Sequence, residues 1–318
     1  MADRVALLAP HLDGALVPPA TFARMTAATR RLPPLSGAIL ECRLDEGAPG
    51  LDLSVRARVD DGGRALLAGR PLASGPVWRR IARFSALWRD ERSLLHRAVE
   101  NVWLELDDPG AGGLPPAPSF FFDVRGAEPA EAGRVAAAGL SILAEEIFSQ
   151  AARSRLEELL LRLPPGALAY YFGALLPRTP QALRFCPRLP VGALAGYLGA
   201  IGVGGERCRE IESTVREIAG PGVEDMVLSL DVEPVPSTVG VEVKPASEGG
   251  WPGLLARLVA SGLGSSSRRE ALALWTELSA AADPGGPSIV RRFNHVKLVF
   301  GPRPRPAAKV YLYAGFGL

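Results

Sequence analysis

The chain has 318 residues, 47% of them hydrophobic, with 36 basic and 34 acidic side chains and a formal net charge of +2. That is enough apolar material for one large domain or two ordinary ones, without the concentrated basic character of a nucleic-acid-binding surface. Three cysteines (Cys42, Cys186, Cys208) and three histidines (His11, His96, His295) are scattered without CxxC, HxH or HExxH spacing. This argues against a disulfide framework and a metal site, and favours a reducing cytoplasm and no cofactor.

In chain order, PATFARMTAATRRL reads as a helix. Ala38–Asp45 and Leu51–Val59 then alternate apolar and polar residues about a DEGAPG turn, as a hairpin does. VWRRIARFSALW and ERSLLHRAVE carry helical periodicity and precede a second hairpin, Val102–Asp107 with Ser119–Arg125. PAEAGRVAAAGLSILAEEIF and SRLEELLLRL precede Leu168–Ala174 with Ala182–Cys186. VGALAGYLGAI and RCREIESTVREIA precede Met226–Val232 with Thr238–Lys244. WPGLLARLVASG and SRREALALWTEL precede Phe293–Phe300 with Ala308–Ala314, joined by GPRPRP. The apolar spacing of Leu156, Leu159, Leu160 and Leu163 typifies the helices, and Pro and Gly mark their ends. The start, MADRVALLAPHLDG, lacks a signal peptide's basic head and long apolar run. The longest uncharged runs, Leu163–Pro177 and Val191–Gly205, fall short of the roughly 18–20 apolar residues that cross a bilayer, so the expectation is a soluble protein.

The chain also repeats itself. VENVWLELDD from Val99 and VEDMVLSLDV from Val223 share Val, Glu, Leu, Leu and Asp in register, and each is followed by a loop ending in Pro-Ser and a second apolar strand. These units, near 99–125 and 223–244, fit one domain spanning 1–318. The fold expected is α/β: five helix-helix-strand-strand units forming a ten-stranded antiparallel barrel with the helices outside. Ten twisted strands tend to close, because closure removes the edges. The same pattern also fits two α+β halves, each with its own sheet.

One strand face is apolar throughout, as in Val102, Leu104 and Leu106 or Val239, Val241 and Val243. The other is polar and aromatic: Glu41, Arg56, Arg58, Trp103, Glu105, Phe121, Asp123, Asp231, Glu242, His295, Lys297, Lys309, Tyr311 and Tyr313. In a closed barrel that face lines a wet lumen. Each residue also has an ordinary alternative. Glu105 fits a solvated or salt-bridged strand position, Trp103 fits the core, and Lys297 and Lys309 fit lysines that discourage edge pairing.

Five such units around ten strands, with endings HVKLVF and AAKVYLY, resemble the aromatic prenyltransferases. That resemblance implies cations on an isoprenoid diphosphate, tyrosines shielding an allylic cation, and Glu105 holding an indole N–H. The sequence departs from the pattern in its cations. The second hairpin offers only Arg125 and the third only Arg184, while Glu41, Glu105, Asp107, Asp123, Asp231 and Glu242 crowd the same face. The phrases VWLELD, PPAPSFFFDV, WPGLLARLVASGL and RFNHVKLVFGPRPRPAAKVYLYAGF are similar to peptide-binding proteins of crocagin-type ribosomal-peptide pathways. That similarity implies a cytoplasmic protein binding a Trp-containing precursor peptide for pyrroloindoline formation, beside a pathway oxygenase. On that reading Trp103, Phe121, Tyr311 and Tyr313 face an aromatic side chain. Arg56, Arg58, Lys297 and Lys309 meet a terminal carboxylate or acidic leader residues, with Glu105, Asp123 and His295 beside them. Whether the chain makes or breaks a bond stays open, and an aromatic prenyltransferase acting on an indole is the alternative.

Overall fold

The structure is a computed structural model. It describes residues 1–45, 50–68, 75–108, 117–124, 128–178, 180–277 and 289–317. In chain order the elements are α1 (Ala2–Ala6), α2 (Pro19–Ala28), β1 (Gly37–Arg43), β2 (Leu51–Arg58), α3 (Gly63–Ala68), α4 (Pro76–Arg89), α5 (Leu94–Ala98), β3 (Asn101–Leu106) and β4 (Ser119–Asp123). Then come α6 (Pro129–Leu143), α7 (Gln150–Leu161), β5 (Leu168–Leu175), β6 (Ala182–Pro190), α8 (Leu194–Ala200), α9 (Gly205–Ala219), β7 (Asp225–Asp231) and β8 (Val239–Val243). The last are α10 (Trp251–Ala260), α11 (Ser266–Glu277), β9 (Ile289–Phe300) and β10 (Ala307–Phe316).

All ten strands form one closed antiparallel barrel, each pairing with its sequence neighbours, and β1 closes on β10. The seam runs from Gly37 opposite Gly315 to Arg43 opposite Lys309. This excludes two separate sheets. The similar segments at 99 and 223 become β3 and β7, the first strands of the second and fourth hairpins. Two short helices, α1 and α3, fall where none was expected. At five and six residues they are too short to show a helical period.

The burial pattern follows from alternation. In β2, Leu51, Leu53, Val55 and Ala57 are buried beneath the helices, and the residues between them point inward. The main core therefore lies between barrel and helices. An aromatic belt holds α4 to the barrel: Phe84 meets Phe120 at 4.7 Å and Phe122 at 5.2 Å between ring centres. Helix α6 comes so close to β4 that a Cβ on Gly139 would lie 2.5 Å from Cζ of Phe122, so the position requires glycine. Proline opens α2, α4, α6 and α10, where a missing N–H costs nothing. Ser93 and Ser149 cap α5 and α7, accepting from the amides of Leu95 and Ala152. Among the described residues no helix is long and apolar enough to cross a membrane.

Candidate functional site

The inward faces enclose a cavity of about 350 Å³. Its walls combine six aromatic side chains (Trp103, Phe121, Tyr170, Tyr171, Tyr311, Tyr313), six cations (Arg56, Arg184, Arg188, Lys244, Arg292, Lys297) and three carboxylates (Glu105, Asp225, Glu242). The mouth lies where β2, β6 and β8 end and β9 begins. Arg292 and Lys244 are exposed at that rim.

Away from the mouth, ion pairs line the barrel. Arg178, on the turn after β5, reaches past β4 to β3, meeting Glu105 and Asp107 at 2.9 Å each. Arg184 pairs with Asp231 at 2.8 Å. Across the β1–β10 seam, Lys309 and the Tyr311 hydroxyl both donate to the Glu41 carboxylate. Burial alone would raise the Glu41 carboxyl, but the charges of Lys309 and Lys297 and these two hydrogen bonds outweigh it, holding it at about 2. Nearby Asp52 feels the charge of Lys309 too, but without a direct ion pair to it. Burial, with the charge of Glu41, pushes it up to about 7. Glu105 is also raised, by burial and then by Glu41, with Arg178 pulling against both.

Further up the wall, Lys297 donates to Ser229 Oγ at 2.7 Å and to Glu242 at 3.2 Å. Ser229 also donates to Glu242, and the Cys186 thiol lies 3.8 Å from the Ser229 hydroxyl. His295 stacks on Tyr311 with ring centres 4.0 Å apart, and its Nε2 lies 3.5 Å from Glu242. Burial lowers the His295 pKa against the pull of Glu242, which favours the neutral imidazole. Its Nε2 is buried without a hydrogen-bond partner among the described residues.

Of the residues expected from sequence, Arg56, Trp103, Glu105, Phe121, His295, Lys297, Tyr311 and Tyr313 all line this one cavity. Lys309 points into the same barrel but is held by Glu41 beyond the cavity wall. Arg58 sits at the end of β2, paired with Asp60 outside the cavity lining. Asp123 is fully buried and also absent from that lining; its carboxylate accepts from the amides of Glu100 and Asn101 and from the Asn101 side chain, fixing the start of β3. Arg125 lies outside the described residues.

Two expectations are corrected. The lumen wall carries more cations than the strand pattern implied, because Arg188 and Arg292 also face it. Strand β6 does not stop at Cys186: it runs through Pro187 to Pro190 and so carries Arg188 inward. Pro187 lies opposite Ala169, beside a break in the β5–β6 register, where a strand tolerates a residue with no N–H to give. Cys186 is buried within the strand and on the cavity wall. Burial pushes its thiol up to about 11, which leaves it a poor nucleophile at neutral pH.

Sequence reasoning missed Tyr170, Tyr171, Arg188, Asn294 and Arg292. The register breaks in β5 between Ala169 and Tyr171, so Tyr170 and Tyr171 both reach the cavity, with ring centres 4.2 Å apart. A second break, in β9, sets Tyr311 opposite His295 and Leu312 opposite Phe293, and brings Asn294 onto the wall beside His295. A bulge adds one residue to a strand and re-aims its neighbours, which strict alternation does not anticipate. The only sequence signal was the adjacent pair Tyr170-Tyr171, inconsistent with simple alternation.

Among the described residues no three His, Cys, Asp or Glu side chains are grouped to hold a metal ion. No protein-family description and no curated protein matches the chain. Solved structures do. The apo form of the prenyltransferase PriB is 15% identical, with a TM-score of 0.60 over 99% of this chain and 94% of that one. The 5-dimethylallyl tryptophan synthase of Streptomyces coelicolor, solved with DMASPP and Trp, is 17% identical, with a TM-score of 0.53 over 98% and 93%. AnaPT of Neosartorya fischeri is 11% identical, with a TM-score of 0.54 over 88% and 77%. At these identities the likeness is one of fold: the chain has the helix-coated ten-stranded barrel of aromatic prenyltransferases.

Proposed function

We propose that the chain binds a peptide, seating an aromatic residue of it in the barrel and presenting it for modification in a bacterial ribosomal-peptide pathway of the pyrroloindoline type. One observation carries this reading: the inner cations are already neutralised. Lys297 is on Glu242, Lys309 on Glu41, Arg184 on Asp231, and Arg178 on Glu105 and Asp107, while Arg188 meets Asp225 at the exposed rim. A diphosphate placed among them would have to break several buried pairs, each break leaving an uncompensated carboxylate. A neutral aromatic side chain breaks none, and it meets the faces of Trp103, Phe121, Tyr170, Tyr171 and Tyr313. A cavity of about 350 Å³ fits one large side chain and its backbone rather than a long segment.

A second reading, prenyl transfer to an indole, draws on the rim. Arg56, Arg292 and Lys244 have no carboxylate partner among the described residues, and Glu105 is a buried acceptor on the wall. Titration calorimetry separates the two. The binding reading expects micromolar affinity for a Tyr-Trp-containing peptide and no heat with dimethylallyl diphosphate. Turnover of that diphosphate with a Trp-containing acceptor would replace it with the second reading.

A further inference from the structure

Arg56 is a partly buried cation on the cavity wall that has no ion pair among the described residues. One of its terminal nitrogens donates to the Tyr313 hydroxyl at 2.7 Å, its Nε is buried without a partner, and no carboxylate lies within ion-pair distance among the described residues. Its guanidinium is bracketed by aromatic faces, 5.5 Å from the Trp103 ring centre and 5.2 Å from that of Tyr313. Arg292 lies 4.7 Å over the same Tyr313 ring, and Lys244 stands exposed on the rim. A partly desolvated guanidinium with no carboxylate beside it favours an anion, and its terminal nitrogens, on the cavity side, suit a carboxylate. The aromatic wall beside it calls for a ring on the same ligand.

The cavity opens at the rim, and the inner barrel carries the pairs of Arg178, Arg184 and Lys309. A chain end can reach the cavity from this rim without the inner pairs being broken. The rim cations repel an N-terminal ammonium and attract a C-terminal carboxylate.

Resting on the peptide-binding reading, we infer that the barrel recognises the free C-terminal carboxylate of a peptide ending in an aromatic residue, with Arg56 and Arg292 on the carboxylate and the ring inside. The site reads the end of its ligand. An internal aromatic residue would fill the chamber but leave Arg56 without its anion.

The test compares Ala-Gly-Tyr-Trp as free acid, the same peptide as C-terminal amide, and Tyr-Trp-Ala-Gly, by calorimetry on the full chain. The acid is expected to bind at least about 10-fold more tightly than either control, consistent with one charge-assisted contact. In Arg56→Gln that preference is expected to fall below about 2-fold. Arg292→Ala, at an exposed position, is expected to reduce it as well. Equal binding of acid and amide would overturn the inference and leave the peptide-binding reading standing. Failure of all three peptides to bind at millimolar concentration would overturn both. Displacement of the acid by dimethylallyl diphosphate, with diphosphate binding lost in Arg56→Gln, would reassign the subsite to a diphosphate and overturn the inference too.

Discussion

Replacing Glu41 by glutamine tests the electrostatics of the barrel seam. The substitution keeps the size and an acceptor for Tyr311 but leaves the Lys309 ammonium without its counter-charge. The Glu41 side chain is 8% exposed and that of Lys309 is 24%, so solvent screens the pair only in part. A carboxyl held at about 2 instead of its ordinary 4.5 corresponds to about 3 kcal/mol of folding stability at neutral pH. Breaking a buried pair from one side costs about the same. Because the folded-state value is depressed, this stability is present above about 4.5 and is lost as pH falls toward 2. Glu41→Gln should therefore lower stability by about 3 kcal/mol at pH 7, or about 4–5 °C in Tm for a chain of this size. The gap from wild type should close on acidification. Urea denaturation followed by tryptophan fluorescence at pH 7 and pH 3 measures both. The double variant Glu41→Gln, Lys309→Met removes both charges and should return to within about 1 kcal/mol of wild type. A single variant within about 0.5 kcal/mol of wild type would refute the reasoning, as would a double variant no better than the single.

Asp52 makes the opposite prediction. Its carboxyl is raised from 3.8 to about 7, so its cost to the fold is absent below about 4 and fully felt above about 7. Asp52→Asn retains an acceptor for the Asp108 amide and should stabilise the protein at pH 8 by a few kcal/mol, on the order of the linkage energy, while changing little at pH 4; equal gains at both pH values would refute the assignment. Gly173→Ala places a Cβ 2.3 Å from the Phe121 ring, with the cavity as the ring's free side. Overpacking should cost about 1–3 kcal/mol, and peptide affinity should fall at least about 10-fold as the ring moves inward. Unchanged affinity by calorimetry would show that the chamber is not the binding site.

How far the sequence predicts this structure depends on local regularity. Hairpins such as Met226–Val232 with Thr238–Lys244 were legible because each side chain's face follows from counting by two. Closure followed from the strand number and the cost of free edges. The wall failed to emerge where the count breaks. Tyr170 and Asn294 reach the cavity through register irregularities, and Arg188 through a strand that continues past a proline. Pairing was also hidden. Lys309 and Lys297 read as available cations in one dimension, yet Glu41 and Glu242 come from strands far away in the chain. Asp123 belonged to the correct face but had its oxygens committed to backbone amides, which no periodicity reveals.

The join between β1 and β10 has a consequence for how the protein is made. Glu41 and Tyr311 stand 270 residues apart, and they meet only when the last strand arrives. As the chain leaves the ribosome, β1 waits with one side unpaired while nine further strands are synthesised, a long exposure to wrong partners. The chamber does not exist during that wait, since Ile39 on β1 and Tyr311 and Tyr313 on β10 are all part of its wall. A ligand that fills the chamber therefore recognises only finished molecules. By binding across the clasp, a ligand would slow its reopening.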